Sequence, residues 1–178
     1  MFKMEVKNKG EIPLNTAFIL ASNHYSNLDP IVLGVSVPCK LYFLAKEELF
    51  KNKIFAIFLK FFGAIPLKRK RIDVLAVKKA ISLLKDNKPL VIFPQGTRSK
   101  ELNDIQPGVG YLFKKTSVPI VVARILGTDK VLPRGKKFLK LNKIKVIFKR
   151  LKNIGNNFTA EEISEFVWNK IKDMAVYH

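Results

Sequence analysis

Residues 16–30 read TAFILASNHYSNLDP. Its first six residues, TAFILA, form a short apolar run with the look of a buried strand. A polar turn follows, and Asp29-Pro30 predicts a helix start, since aspartate caps a helix N-terminus and proline suits the first helical position. Working outward, residues 40–45 (KLYFLA) predict a second strand, 47–62 a helix and 64–67 a short strand. Residues 72–86 place Val74, Leu75, Val77, Ile81 and Leu84 close to helical spacing. Then come a strand at 90–93 (LVIF), a glycine-bearing loop, a helix around 111–115 and a strand at 120–126. A basic strand at 144–149 precedes a final helix from about Thr159, where Thr159-x-x-Glu162 resembles a capping box. The alternation predicts an α/β fold, a single-domain mixed and largely parallel sheet flanked by helices, with the site in loops at the strand ends.

With 178 residues, no internal repeat and no Ser/Gly/Pro-rich linker, residues 1–178 are expected to form one domain. The 48% hydrophobic content is that of a globular chain and excludes wholesale disorder. Charge is the unusual feature. Thirty-three Lys plus Arg against 14 Asp plus Glu leave a formal net charge of +19. Such a field attracts polyanions, whether nucleic acid, anionic lipid or phosphorylated substrates, and charge alone does not choose among them.

Cys39 is the one cysteine, so neither an intrachain disulfide nor a cysteine-based metal cage can form. It reads as a small packing residue and fits a reducing compartment, most simply the cytoplasm. The start, MFKMEVKNKGEIPL, lacks the apolar core of a secretory signal, and no apolar run approaches bilayer-spanning length. Membrane contact is therefore expected to be peripheral.

The chemistry is concentrated in Asn23-His24-Tyr25-Ser26-Asn27-Leu28-Asp29. A lone histidine at an apolar-to-polar transition is more often structural than catalytic, and Asp29 read by itself is an N-cap. A strand end followed within five residues by a helix nevertheless lets the loop fold back, bringing the Asp29 carboxylate to the Nδ1 side of His24. That contact would fix the tautomer, free Nε2 to accept a proton and stabilise the imidazolium.

NHYSNLD, a His-x4-Asp preceded by Asn, resembles the first signature of the 1-acylglycerol-3-phosphate acyltransferase family, within the glycerol-phosphate acyltransferase superfamily. Phe43-Leu-Ala-Lys46-Glu47-Glu-Leu49 is similar to the family's Lys-x-Glu-Leu stretch, and Gly63-Ala-Ile-Pro-Leu-Lys-Arg69 to its second signature. Phe93-Pro-Gln-Gly-Thr-Arg98-Ser99 matches the third, and Val118-Pro119-Ile-Val-Val-Ala123 resembles the fourth. The blocks occur in the expected order over roughly residues 15–130, which makes the match far more specific than any one motif.

The resemblance implies acyl transfer from a thioester, acyl-CoA or an acyl carrier protein (acyl-ACP), to the free sn-2 hydroxyl of 1-acyl-sn-glycerol-3-phosphate, giving phosphatidic acid. A thioester is already activated, so no cofactor or metal is expected. The implied catalytic pair is His24 and Asp29. Arg69, Gln95, Gly96, Thr97 and Arg98 are the implied phosphate and glycerol contacts, arginine because its planar fork grips two phosphate oxygens together. Backbone amides around Gly96 and Thr97 are expected to add donors. Asn23, Lys46, Gly63 and Pro119 are supporting motif residues. Two positions depart from the family pattern: Gln95 replaces the usual Glu, keeping size and hydrogen bonding but losing charge, and Val122 replaces a common proline.

Residues 49–62, LFKNKIFAIFLKFF, mix three lysines with aromatic and aliphatic side chains. Such a helix suits a membrane interface, lysines meeting anionic headgroups, and equally suits a core position. Basic stretches at 68–71, 134–140 and 143–152 would add attraction to an anionic surface, each charge by about 1 kcal/mol when close. The expected partners are thus an anionic membrane surface at the cytoplasmic face of the cell membrane, a lysophospholipid acceptor and the acyl donor. The competing readings are an acyltransferase for another lysolipid, a nucleic-acid-binding module, for which no recognised motif is present, and a non-catalytic lipid-binding relative suggested by Gln95.

Overall fold

A computed structural model describes residues 3–51, 53–61, 63–67, 73–98, 105–133, 135–136, 138–155 and 157–174. In chain order the elements are β1 (Lys3–Lys7), β2 (Ile19–Ser22), α1 (Asp29–Ser36), β3 (Tyr42–Lys46), α2 (Lys53–Phe61), β4 (Ala64–Leu67) and α3 (Val74–Lys85). They continue with β5 (Leu90–Ile92), α4 (Gly108–Thr116), β6 (Ile120–Leu126), α5 (Thr128–Val131), β7 (Lys143–Arg150) and α6 (Ala160–Asp173). The helix expected over 47–62 is two pieces, a 3-10 turn at Glu47–Phe50 and then α2. The first piece ends at Phe50 and the second begins at Lys53.

The strands form one sheet in the order β1-β7-β6-β2-β5-β3-β4. The run from β6 to β4 is parallel; β7 is antiparallel to β6 and β1 parallel to β7, so the sheet is mixed and largely parallel. β2 sits at its centre with all four residues buried. Alternate side chains there go to opposite faces, as pleating requires. Ile19 and Ala21 join Ile120 and Val122 beneath α3, α4 and α6, where Leu84, Val109 and Trp168 fill the layer. Phe18 and Leu20 join Val121, Ile125 and Phe148 on the other face, closed by Val32 and Leu33 of α1. Burial on both faces explains why these strands read as unbroken apolar runs. Val122 is wholly buried opposite Ala21. Partly buried Cys39 packs beside the α1 layer, and burial pushes its thiol up.

Two crossovers position the site. From β2 the chain passes through α1 to β3, skipping β5; from β5 it passes through α4 to β6, skipping β2. Because α1 and α4 cover opposite faces, the loops leaving β2 and β5 meet at the switch point of the sheet, the place where open α/β sheets bind their ligands. At the far end of the chain the predicted capping box is present: Glu162 N–H donates to Thr159 Oγ1 at 3.1 Å, and Thr159 N–H to Glu162 Oε2 at 2.7 Å.

Candidate active site

β2 ends at Ser22, and the next residue, fully buried Asn23, replaces one rung of backbone ladder with its side chain. Its Nδ2 donates to Ile125 O at 2.9 Å, and its Oδ1 accepts from Ile125 N–H at 2.8 Å. The loop is thereby fastened to the neighbouring strand β6 at the point where it leaves the sheet. Ser26 Oγ adds a second fastening, donating to Leu132 O at 2.9 Å.

Between these anchors the chain folds back on Asp29. The helix N-cap is Leu28, with no side-chain cap bond, and Asp29 is the first helical residue, followed by Pro30. The expectation that Asp29 caps α1 is therefore corrected: its carboxylate points back into the loop. Oδ2 accepts from Tyr25 N–H at 2.6 Å, from Ser26 N–H at 2.8 Å and lies 2.9 Å from His24 Nδ1. A fully buried carboxylate is costly unless its charge is met by donors, and three converging N–H groups meet it here. A carboxylate only accepts, so the network assigns the His24 proton to Nδ1 and leaves Nε2 bare as an acceptor. Asp29 Oδ1 is buried and has no hydrogen-bond partner among the described residues.

The loop after β5 supports the imidazole by direct contact. Phe93 stacks on His24 with ring centroids 4.1 Å apart and planes 20° apart. The buried Gln95 side chain accepts the His24 backbone N–H through Oε1 at 3.2 Å. Asp29 is wholly buried while the His24 side chain keeps 15% exposure, so the ring, not the carboxylate, is open to solvent.

The cations divide. Arg98 Nη1 donates to Asn27 Oδ1, so the β5 loop reaches across to the His24 loop and places a guanidinium beside it. Arg69 lies outside the described residues, as do its neighbours at 68–72. Gly96 adopts φ +62°, a conformation that glycine takes without strain, and its N–H donates to Phe93 O at 2.9 Å. That amide is thus engaged within the turn. Thr97 follows it in the same partly exposed loop.

The supporting residues scatter by role. Lys46 ends β3 on the same strand-end edge as the site, opposite Leu67 of β4. Gly63 and Pro119 stand at the other edge, just before β4 and β6. Gly63 is in a left-handed turn, φ +77°, where a Cβ would come 2.5 Å from Leu41 O, and Pro119 O accepts Ile19 N–H at 2.9 Å. Both stand at the end of the sheet away from His24.

Sequence reasoning missed Arg124 and Tyr25. From β6, the Arg124 guanidinium lies 5.5 Å from the Tyr25 ring centre and donates from Nη1 to its hydroxyl at 3.3 Å. Arg124 Nε is buried without a partner among the described residues. No local pattern marks a strand arginine as a neighbour of a loop 99 positions away. Among the described residues, no three His, Cys, Asp or Glu side chains are grouped to hold a metal, and no helix is long and apolar enough to cross a membrane.

Comparison with known proteins adds a second line. A family model described as Acyltransferase matches residues 3–125. A 1-acyl-sn-glycerol-3-phosphate acyltransferase of Bacillus subtilis is 34% identical over 145 residues, covering 81% of this chain and 71% of that protein. A chloroplastic 1-acyl-sn-glycerol-3-phosphate acyltransferase of Arabidopsis thaliana, LPAT1, is 32% identical over 139 residues, covering 75% of this chain and 39% of that longer protein. The crystal structure of the 1-acyl-sn-glycerophosphate acyltransferase PlsC from Thermotoga maritima aligns with a TM-score of 0.83 at 26% identity, covering 98% of this chain and 71% of that one. The mixed sheet with flanking helices is thus shared with that structure.

Proposed function

The chain belongs to the acyltransferase family and is an O-acyltransferase, and from that premise we propose that it moves a fatty acyl group from a thioester to the sn-2 hydroxyl of 1-acyl-sn-glycerol-3-phosphate. The product is phosphatidic acid, and residues 1–178 act as one catalytic unit. One observation carries the mechanism: three N–H groups converge on Asp29 Oδ2, one of them His24 Nδ1, which leaves Nε2 as the proton acceptor.

In this reading the acceptor hydroxyl gives its proton to His24 Nε2 as its oxygen bonds to the thioester carbonyl carbon. The tetrahedral intermediate then collapses, the carbon–sulfur bond breaks, and the imidazolium returns the proton to the departing thiolate. Asp29 holds the ring and offsets its transient positive charge. Proton transfer by a placed base contributes about 10² to 10⁴ in rate, so positioning supplies much of the rest. Positioning falls to the acceptor phosphate, held by Arg98 and Arg69, with Gln95 and Thr97 near the glycerol. Transfer from an activated thioester, acyl-CoA or acyl-ACP, needs no cofactor or metal.

The lipid acceptor calls for a peripheral seat at the cytoplasmic face of an anionic membrane. The excess of basic residues supports that seat, and so do Lys53, Ile57 and Lys60, which α2 leaves exposed. The test is to offer purified protein 1-acyl-sn-glycerol-3-phosphate with acyl-CoA and, separately, with acyl-ACP, and to identify products by mass spectrometry. Phosphatidic acid with either donor is expected. No acyl transfer to this acceptor with both donors refutes the assignment, and transfer only to another lysolipid redirects it.

A further inference from the structure

The segment joining α5 to β7 reads VLPRGKKFLKLNK over residues 131–143. Backbone hydrogen bonds fix its root: Lys140 N–H donates to Val131 O at 2.7 Å, and Lys136 N–H to Pro133 O at 3.1 Å. Its location is set by Ser26, whose hydroxyl bonds Leu132 O two residues after His24. The antiparallel β6–β7 ladder, with Leu126 opposite Lys145, puts the same segment at the strand-end edge that carries the His24 loop. The root of this loop and the His24 loop are therefore physically joined.

Three of its apolar side chains do not fold inward. Phe138 is 86% exposed, Leu139 52% and Leu141 73%. Single exposed apolar residues are ordinary, but three within four positions form a patch that water disfavours. Exposed Lys136, Lys140 and Lys143 are interleaved with them. Arg134 and Lys137 add charge in sequence, and no acidic residue occurs between Asp129 and Glu161. An acidic protein surface would satisfy the lysines and leave a protruding phenyl ring to find a pocket. An anionic bilayer interface accepts both at once, ammonium groups at the phosphates and apolar side chains at the acyl boundary.

We infer that loop 132–142 docks the active-site edge onto an anionic bilayer, with Phe138, Leu139 and Leu141 entering the interface and Lys136, Lys140 and Lys143 meeting lipid phosphates. This rests on the lipid-acyltransferase reading above and adds to it the element that seats the enzyme. Through the Ser26–Leu132 contact the loop holds the His24 loop at the level of the headgroups, where a membrane-embedded acceptor presents its hydroxyl.

The experiment replaces Phe138 with tryptophan in the full chain. The native Trp168 is 5% exposed and gives a constant buried background. Added phosphatidylglycerol vesicles carrying brominated acyl chains should shift the Phe138→Trp emission to the blue and quench it. Vesicle-bound protein with an unshifted, unquenched signal overturns the inference. A second arm compares a short-chain lysophosphatidate, soluble as monomers, with a long-chain one embedded in the vesicles. Phe138→Ser/Leu141→Ser should keep turnover of the soluble acceptor and lose roughly tenfold or more on the embedded one. Equal turnover on the embedded acceptor overturns the inference. So does a defect seen only with acyl-ACP as donor, which assigns the loop to a protein partner instead. Wild-type protein that acylates neither acceptor refutes the proposed function itself, and the fluorescence arm still reads the docking.

Discussion

Gln95 Oε1 accepts the backbone N–H of His24 at 3.2 Å, so this buried side chain supports the backbone of the proposed base. An amide oxygen and a carboxylate oxygen can both accept that bond. Gln95→Glu should therefore leave kcat/KM within about tenfold of wild type, whereas Gln95→Ala, which leaves a part-buried N–H unpaired, should lower it by roughly 10- to 100-fold through misplacement of the ring. Steady-state kinetics of both variants decide the point. An alanine variant as active as wild type would show that the bond does not position His24.

Asp29→Asn separates shape from charge. The amide oxygen can still accept from Tyr25 and Ser26, so the loop should fold, but the negative charge that offsets an imidazolium is gone. We expect kcat to fall by about 10² to 10⁴ with little change in the KM for the acceptor. An equal loss in thermal stability and activity would instead mark Asp29 as a purely structural group.

Asn23 makes both of its hydrogen bonds to Ile125 in a site without solvent exposure. Asn23→Ala strands the Ile125 N–H and C=O and should cost about 2–4 kcal/mol, lowering the melting midpoint by roughly 5–15 °C. Thermal denaturation followed by circular dichroism reads this directly. An unchanged midpoint would mean that the loop is held chiefly by Ser26 and Asp29.

The capping box predicts a pH dependence at the other end of the chain. The Thr159 backbone N–H, and then its side chain, hold the Glu162 carboxyl below the ordinary glutamate range. A folded-state pKa below the unfolded one means that the stabilisation is present above the unfolded value and is lost as pH falls through the folded value. Glu162→Gln should therefore flatten the acid limb of the melting-midpoint profile and leave the profile near neutrality parallel to wild type. An unaltered acid limb would contradict this.

The elements that read clearly in the sequence are those whose local chemistry decides them. β6 is a buried apolar run directly after Pro119, with every residue but Arg124 and Leu126 fully buried, and α6 carries its own start signal in Thr159 and Glu162. β1 went unread because an edge strand of alternating charge, KMEVK, has no apolar signature and exists through its pairing with β7. α5, four residues at the end of β6, is too short to carry helical periodicity. The same division holds at the site. His24 and Asp29 are five positions apart and legible from loop geometry. Gln95, Phe93 and Arg124 reach the loop from β5 and β6, and only the parallel strand order brings them there.

The central claim is that His24 Nε2 removes the proton from the lipid hydroxyl, and single-residue removal of the ring tests it most directly. The measurement is kcat for phosphatidic acid formation by His24→Ala beside wild type, with acceptor KM and vesicle binding recorded on the same preparations. The account predicts a fall of about 10² to 10⁴ in kcat with KM and vesicle binding retained. A folded His24→Ala protein that turns over at the wild-type rate would contradict it.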